Sequence, residues 1–191
     1  RVQASLYFMN NIADETIFNR ARRQVLINAV PFVVLFLIFV GVTLTADGYE
    51  LNPVNGEVFV RKYKYFFNLI EMPWVAVMFL IGVVSVLYAI IRAAFSKTWI
   101  CGIWYSGIGT VLVVLSLFFL AGYNNTPYYP SAVDLQSSLT IYNSSSSLFT
   151  LEVMTVVSFL VPFVLAYIVY AWRAMDKKPI TEQEMESGEH T

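Results

Sequence analysis

Four stretches of the chain are almost continuously apolar over the length a bilayer requires: Val25 to Ala46, Met72 to Ile91, Trp99 to Gly122 and Val153 to Trp172. A hydrocarbon core of about 30 Å takes about 20 helical residues at 1.5 Å each. A barrel strand would alternate and be about half as long, so the pattern predicts helices. Val2 to Met9 read as the last turns of a further helix. Between the first two spans, Phe59, Tyr63, Phe66 and Ile70 fall on one helical face, with Glu57, Arg61, Lys64 and Asn68 opposite. That spacing predicts an amphipathic interfacial helix over 57–70 in preference to a hairpin through "NPVNGE". The fold class expected is all-α, a polytopic transmembrane bundle of four spans plus an N-terminal helix end, with that interfacial helix in the first outer loop. The chain divides into a helix end and basic connector (1–24), the bundle (25–172) and a flexible cytoplasmic tail (173–191).

Composition agrees with the pattern. The chain is 58% hydrophobic and 13% charged, about half the charged fraction of a soluble domain. Basic residues set the expected orientation, because cytoplasmic loops retain Lys and Arg. Arg20, Arg22 and Arg23 precede the first span, Arg92 and Lys97 join the second to the third, and Arg173, Lys177 and Lys178 follow the fourth. The opposite side carries only Arg61, Lys62 and Lys64, and no basic residue between Tyr123 and Leu151. Both ends of the segment are therefore expected in the cytoplasm. Trp74 and Tyr123 would mark the outer interface, and Trp99, Trp104 and Trp172 the inner one. With 12 basic and 13 acidic residues and no continuous basic stripe, nucleic acid is not an expected partner.

Chemistry is sparse. The centres of the four runs contain no ionisable residue, whereas an active site inside a membrane usually announces itself by one. The single histidine, His190, lies in the tail, and no phosphate loop, metal-ligand cluster or nucleophile triad occurs. No catalytic, cofactor or metal residue is expected, and Met72, Met78 and Met154 read as packing residues. Cys101, the only cysteine, reads as a small buried hydrophobe. Glu71 and Glu152 stand where helix N-termini attract negative charge, and Thr150 reads as the N-cap of the last span. Gly82, Ser85 and Ala89, and likewise Gly102, Ser106 and Thr110, recur at helical spacing and present small residues for close helix packing. The pair Gly107 and Gly109 is too weak a signal to add. Pro31 and Pro162 are expected to kink their helices.

The outer segment "SSLTIYNSSSSLFTLEVMTVVSFLVPFVLAYIVYAW" is more specific. It resembles the closing segment of subunit II of the cytochrome bd-type quinol oxidases. The shared positions are Ser138, Leu139, Thr140, Ile141, Asn143, Ser146, Ser147, Thr150, Leu151 and Met154, then Pro162, Val164, Leu165, Tyr167 and Trp172. "ADGY" at Ala46 to Tyr49 and "NRARRQ" at Asn19 to Gln24 are weaker echoes. Ser144 and Ser145 depart from the family's usual alanines, Met175 from its usual phenylalanine, and the N-terminal half of that subunit has no counterpart here.

The resemblance implies the C-terminal half of a non-catalytic subunit in a respiratory terminal oxidase of the bacterial inner membrane. Subunit I would be its partner and would carry haem b and haem d, with quinol as the substrate of the complex and membrane lipid around it. The hydroxyl-rich stretch would then seal the periplasmic side of the bundle. Two other readings are one repeat of a secondary transporter, which uninterrupted spans disfavour, and a four-span structural membrane protein. The latter is suggested by Asn124-x-Thr126 and Asn143-x-Ser145 as glycan acceptors, a pattern that Asn- and Ser-rich loops produce by chance.

Overall fold

The computed structural model describes residues 1–96 and 98–175. Lys97, Lys177, Lys178, His190 and the tail beyond Met175 lie outside the described residues.

Helix α1 (Val2–Asn11) turns at Ile12 to Asp14 into α2 (Glu15–Thr45). The carboxylate of Asp14 accepts from the Ile17 N–H and caps α2, so Arg20, Arg22 and Arg23, expected in a connector, are helical. Helix α4 (Pro73–Phe95) opens with proline at its first position, where no N–H is needed, and α5 (Gly102–Gly122) returns beside it. A last apolar segment is split into α6 (Leu148–Ser158) and α7 (Val161–Met175). Together these give four helical segments, Glu15–Thr45, Pro73–Phe95, Gly102–Gly122 and Leu148–Met175, long and apolar enough to cross a membrane.

At what is called here the basic end, α1, α2 and α4 share a core. Leu6 and Met9 meet Ala21, Val25 and Ala29 of α2 and Ile90 and Ala93 of α4. The Arg22 Nε donates to the Ala94 carbonyl at 2.8 Å, placing a cation on the closing turn of α4, where the helix dipole favours it. Tyr88, Trp99 and Tyr105 cluster at the same end, with ring centroids 5.4 to 5.8 Å apart.

The loop between the first two spans corrects one expectation. An antiparallel hairpin pairs β1 (Gly48–Leu51) with β2 (Val58–Arg61), from Gly48 opposite Arg61 to Leu51 opposite Val58. Only Lys64–Glu71 form the helix, α3. The physical reason lies in 52–58. Asn52-Pro53 and Asn55-Gly56 close a turn, with Gly56 at φ +73°, and the β-branched Val58 and Val60 suit a strand. The amphipathic helix exists, but it begins seven residues later than its apolar spacing suggests.

Three further corrections concern single sites. Cys101 is exposed, because it is the N-cap residue at the mouth of α5 and not a residue within the helix. Ser147, not Thr150, caps α6: its Oγ accepts from the Thr150 N–H at 3.4 Å and lies 3.0 Å from the Thr150 hydroxyl. Met154, expected to pack, is 62% exposed in this chain. Helix α2 continues through Pro31. At Pro162, by contrast, the ladder breaks at Phe159 and Leu160, whose N–H groups take tighter bonds to Val156 and Val157. The proline cannot donate to the preceding turn, and the Ser158 hydroxyl turns back to the Thr155 carbonyl at 2.6 Å.

Candidate functional site

Two places concentrate specific geometry: the seam between α4 and α5, and a polar cap at their loop end.

At the seam the backbones touch. A Cβ on Gly82 would lie 2.9 Å from the Gly109 carbonyl oxygen, and one on Gly109 would lie 2.7 Å from that of Gly82. Ser85 Oγ donates across the seam to the Tyr105 carbonyl at 2.8 Å, Ala89 is fully buried, and Ser106 nearly so. Gly102 makes room for Leu6 of α1. Thr110 donates to the Ser106 carbonyl at 2.8 Å and accepts from Gln3 at 2.9 Å, so it faces α1. Gly109 is the residue the spacing argument set aside. Only its position relative to Gly82 on a neighbouring helix reveals it, whereas Gly107 faces open space.

The cap is built on α3, whose amphipathicity is reversed relative to a soluble helix. Lys64 and Asn68 on its polar face are fully buried, while Phe66 and Ile70 are exposed. Polar groups therefore pack inward against the ends of α4 and α5, and apolar ones face out, as suits an apolar surrounding. Gly48 permits this, since a Cβ there would stand 2.7 Å from the Lys64 Cβ.

Four charges cancel within the cap. Arg61 Nη1 holds both carboxylate oxygens of Glu50 at 3.0 Å, and its Nη2 reaches Glu71 at 3.1 Å. The Lys64 Nζ completes the set, 3.1 Å from Glu50 and donating to the Asn124 carbonyl at 3.0 Å. Asn68 donates to the Leu120 carbonyl at 3.0 Å and to Thr126 Oγ1 at 2.8 Å, using one of the carbonyls that α5 leaves unpaired. Asn124 donates to Asn68 Oδ1 at 3.0 Å and to the Glu71 carboxylate. The Asn124 amide, opposed by burial and helped by Arg61 and Lys64, holds the Glu71 carboxyl below the usual range. Among the described residues no buried side-chain nitrogen or oxygen lacks a partner, which is the condition under which a buried ionic network is stable.

The long second loop is tied to this cap. The Leu51 N–H donates to the Asn125 carbonyl at 2.7 Å, and the Gln136 amide pairs with both backbone groups of Val58, at 2.9 and 3.1 Å. Ser138 and Thr140 are buried, and Leu139 bridges to Tyr129. Asn143 knits them, accepting from the Thr140 N–H at 2.7 Å and donating to the Ser138 carbonyl at 2.9 Å. Ser144 takes the Tyr128 hydroxyl at 2.8 Å. Leu151 and Met154 are exposed on α6. Glu50 and Gln136 escaped the sequence argument, and Asn124 and Thr126 entered it only as a possible glycan acceptor. The available signal was the pair Asn124-Asn125 after the α5 end, because asparagine tolerates the positive φ both adopt, 56° and 54°.

Among the described residues there is no imidazole to serve as a haem ligand. No histidine occurs before the tail, and among the described residues no group of three His, Cys, Asp or Glu could hold a metal ion. What the geometry does offer is close helix packing and a neutral hydrogen-bonded lid.

Comparison with known proteins gives one family. The family model described as cytochrome bd terminal oxidase subunit II matches residues 1–175. The probable cytochrome oxidase subunit 2 of Haemophilus influenzae is 30% identical over 176 residues, covering 84% of this chain and 44% of that protein. The cytochrome bd-I ubiquinol oxidase subunit 2 of Escherichia coli K12 is 29% identical over 150 residues, covering 77% of this chain and 38% of that protein. The chain thus spans less than half the length of these relatives.

Proposed function

The chain belongs to the cytochrome bd terminal oxidase subunit II family, and on that premise we propose that it forms the C-terminal half of the supporting subunit of a quinol:oxygen oxidoreductase. It carries no haem and no catalytic residue. Haem b and haem d belong to subunit I, the protein partner, and quinol is the substrate of the complex. The setting is a bacterial inner membrane, with the basic end in the cytoplasm and the cap in the periplasm.

The observation that carries this reading is the family match across the whole helical part of the chain. Two features of the residues support the division of labour. Ionisable groups are gathered in the cap and at the basic end, leaving the span centres apolar, so proton and electron chemistry has no foothold along them. The small residues Gly82, Ser85, Ala89 and Ser106 along the α4–α5 seam, with Gly102 and Thr110 facing α1, suit close helix packing, which is how membrane helices associate without a hydrophobic driving force. The loop residues Ser138, Leu139, Thr140, Asn143, Ser147, Thr150, Leu151 and Met154 run from the lid into α6, closing the periplasmic face with uncharged groups.

Deleting the gene for this chain tests the reading. Membranes should lose quinol-dependent oxygen uptake together with the haem d absorbance, because subunit I lacks its supporting surface. Retention of both at wild-type levels would overturn it, as would haem co-purifying with this polypeptide in the absence of subunit I.

A further inference from the structure

The arginines at the basic end are not equivalent. Arg22 gives its Nε to the Ala94 carbonyl at 2.8 Å, and the Arg92 guanidinium lies over the Trp99 ring, 5.9 Å from its centroid. Arg20 and Arg23 are exposed and have no carboxylate partner: every ion pair among the described residues involves Arg61 or Lys64, in the cap. They stand three residues apart on α2, so they share one face of it. With Glu15, Thr16 and Asn19 they line an open depression. The other nearby acid, Asp14, already accepts from the Ile17 N–H.

That face continues into the apolar part of the helix. Steps of three and four residues lead from Arg20 and Arg23 to Ile27, Val30, Val34 and Ile38, which are 51% to 64% exposed. The opposite face of α2 is the one that packs, through Ala21, Val25 and Ala29. Ile27 to Ile38 span about 16 Å of helix, close to half of a hydrocarbon core of about 30 Å. An amphiphile with a charged head and chains one leaflet long matches the whole stripe.

We propose that Arg20 and Arg23 hold the phosphate of an anionic phospholipid whose acyl chains lie along Ile27, Val30, Val34 and Ile38. Charge chooses the headgroup. Two guanidinium groups against the Glu15 carboxylate leave the depression with one positive charge, which one phosphodiester neutralises. A zwitterionic lipid would bring a cation of its own to a surface that already holds an excess. The guanidinium fork donates to two phosphate oxygens at once, and Thr16 and Asn19 add uncharged donors for glycerol hydroxyls. The stripe has none of the small residues by which the α4–α5 seam draws helices together, so it suits acyl chains better than another helix. The inference rests on α2 as a membrane span and does not depend on the oxidase reading.

The test is native mass spectrometry of the protein extracted from its membrane with its partners in place and equilibrated in micelles holding equal phosphatidylglycerol and phosphatidylethanolamine. The wild type should retain phosphatidylglycerol in preference, and Arg20→Gln with Arg23→Gln should lower that preference about thirtyfold, the effect of two basic residues beside an anionic surface. Arg173→Gln, at an exposed arginine of α7, should leave it unchanged. Neither Arg20 nor Arg23 is paired with a carboxylate in the chain, so the double variant keeps the contacts that fold it. A phosphatidylglycerol carrying a diazirine on its acyl chain should label the peptide from Ile27 to Ile38 in the wild type and far less in the double variant. Equal headgroup preference in the two proteins, a preference for phosphatidylethanolamine, or equal labelling would overturn the proposal. So would a benzoylphenylalanine at position 30 that crosslinks to another polypeptide in native membranes.

Discussion

Lys64 is the residue on which the cap turns. An ammonium with no solvent exposure is tolerable only because Glu50 lies 3.1 Å away and the Asn124 carbonyl 3.0 Å away. Lys64→Ala leaves Glu50 to Arg61 alone and opens a void beneath Gly48, so unfolding in detergent should occur at a free energy lower by about 3 kcal/mol, the range for breaking one side of a buried pair. Lys64→Met, which keeps the stem and removes the charge, should lose less if the void is the larger cost and as much if the stranded carboxylate is. Glu71 sets the pH dependence. Its folded pKa lies below the ordinary value of 4.5, first through the Asn124 amide and then through Arg61 and Lys64 against the pull of burial. The stability it contributes is therefore complete above that ordinary value and is lost as pH falls through the lowered one. Thermal melts between pH 6 and 3 should show an acid-side decline that Glu71→Gln reduces, because the amide keeps a hydrogen-bonding oxygen and has no proton to take up.

At the scale of elements, the seam makes a sharp contrast between two glycines two residues apart. Gly109→Ala forces a methyl into the carbonyl of Gly82 and the backbone of Val86, neither of which is a flexible side-chain end. Separation of α4 from α5 should cost about 1 to 3 kcal/mol, the usual penalty for overpacking. Gly107→Ala meets nothing and should be neutral or slightly stabilising, since alanine is the better helix former. Denaturation of the two variants in the same micelle separates these outcomes. The contrast also marks what could be read from the chain. Span existence was legible because a continuous apolar run has one physical meaning. Which glycine matters depends on register between helices, and that is a tertiary fact. The first loop failed for a related reason: Phe59, Tyr63, Phe66 and Ile70 mimic a helix by their spacing, while the turn at Asn52 to Gly56 sends the first of them into a strand. The same residues hid the direction of burial, because periodicity reveals two faces without saying which one turns inward. In α3 the medium decides, and the polar face goes in.

Over the whole molecule, burial is uneven in a way that bears on how its parts hold together. Helices α1, α2, α4 and α5, with the cap, form one packed body. From Ile141 to Met175 every residue is exposed apart from Ala171, which is half-buried, and none of the α6–α7 hydrophobic window is buried. A helix held by its neighbours would bury a stripe, so α6–α7 draws little stability from this body. A chain ending at Ser147 should therefore unfold within about 0.5 kcal/mol of the longer one in detergent, as expected for changes remote from packed contacts. The loop ties through Gln136, Ser138 and Asn143 lie before that point and remain intact. A loss well above that margin would mean that α6–α7 packs on α2, α4 or α5 in solution. If the margin holds, whatever orders the last span must come from outside these 175 residues, and the same truncation in the assembled membrane complex should then weaken assembly while leaving this body folded.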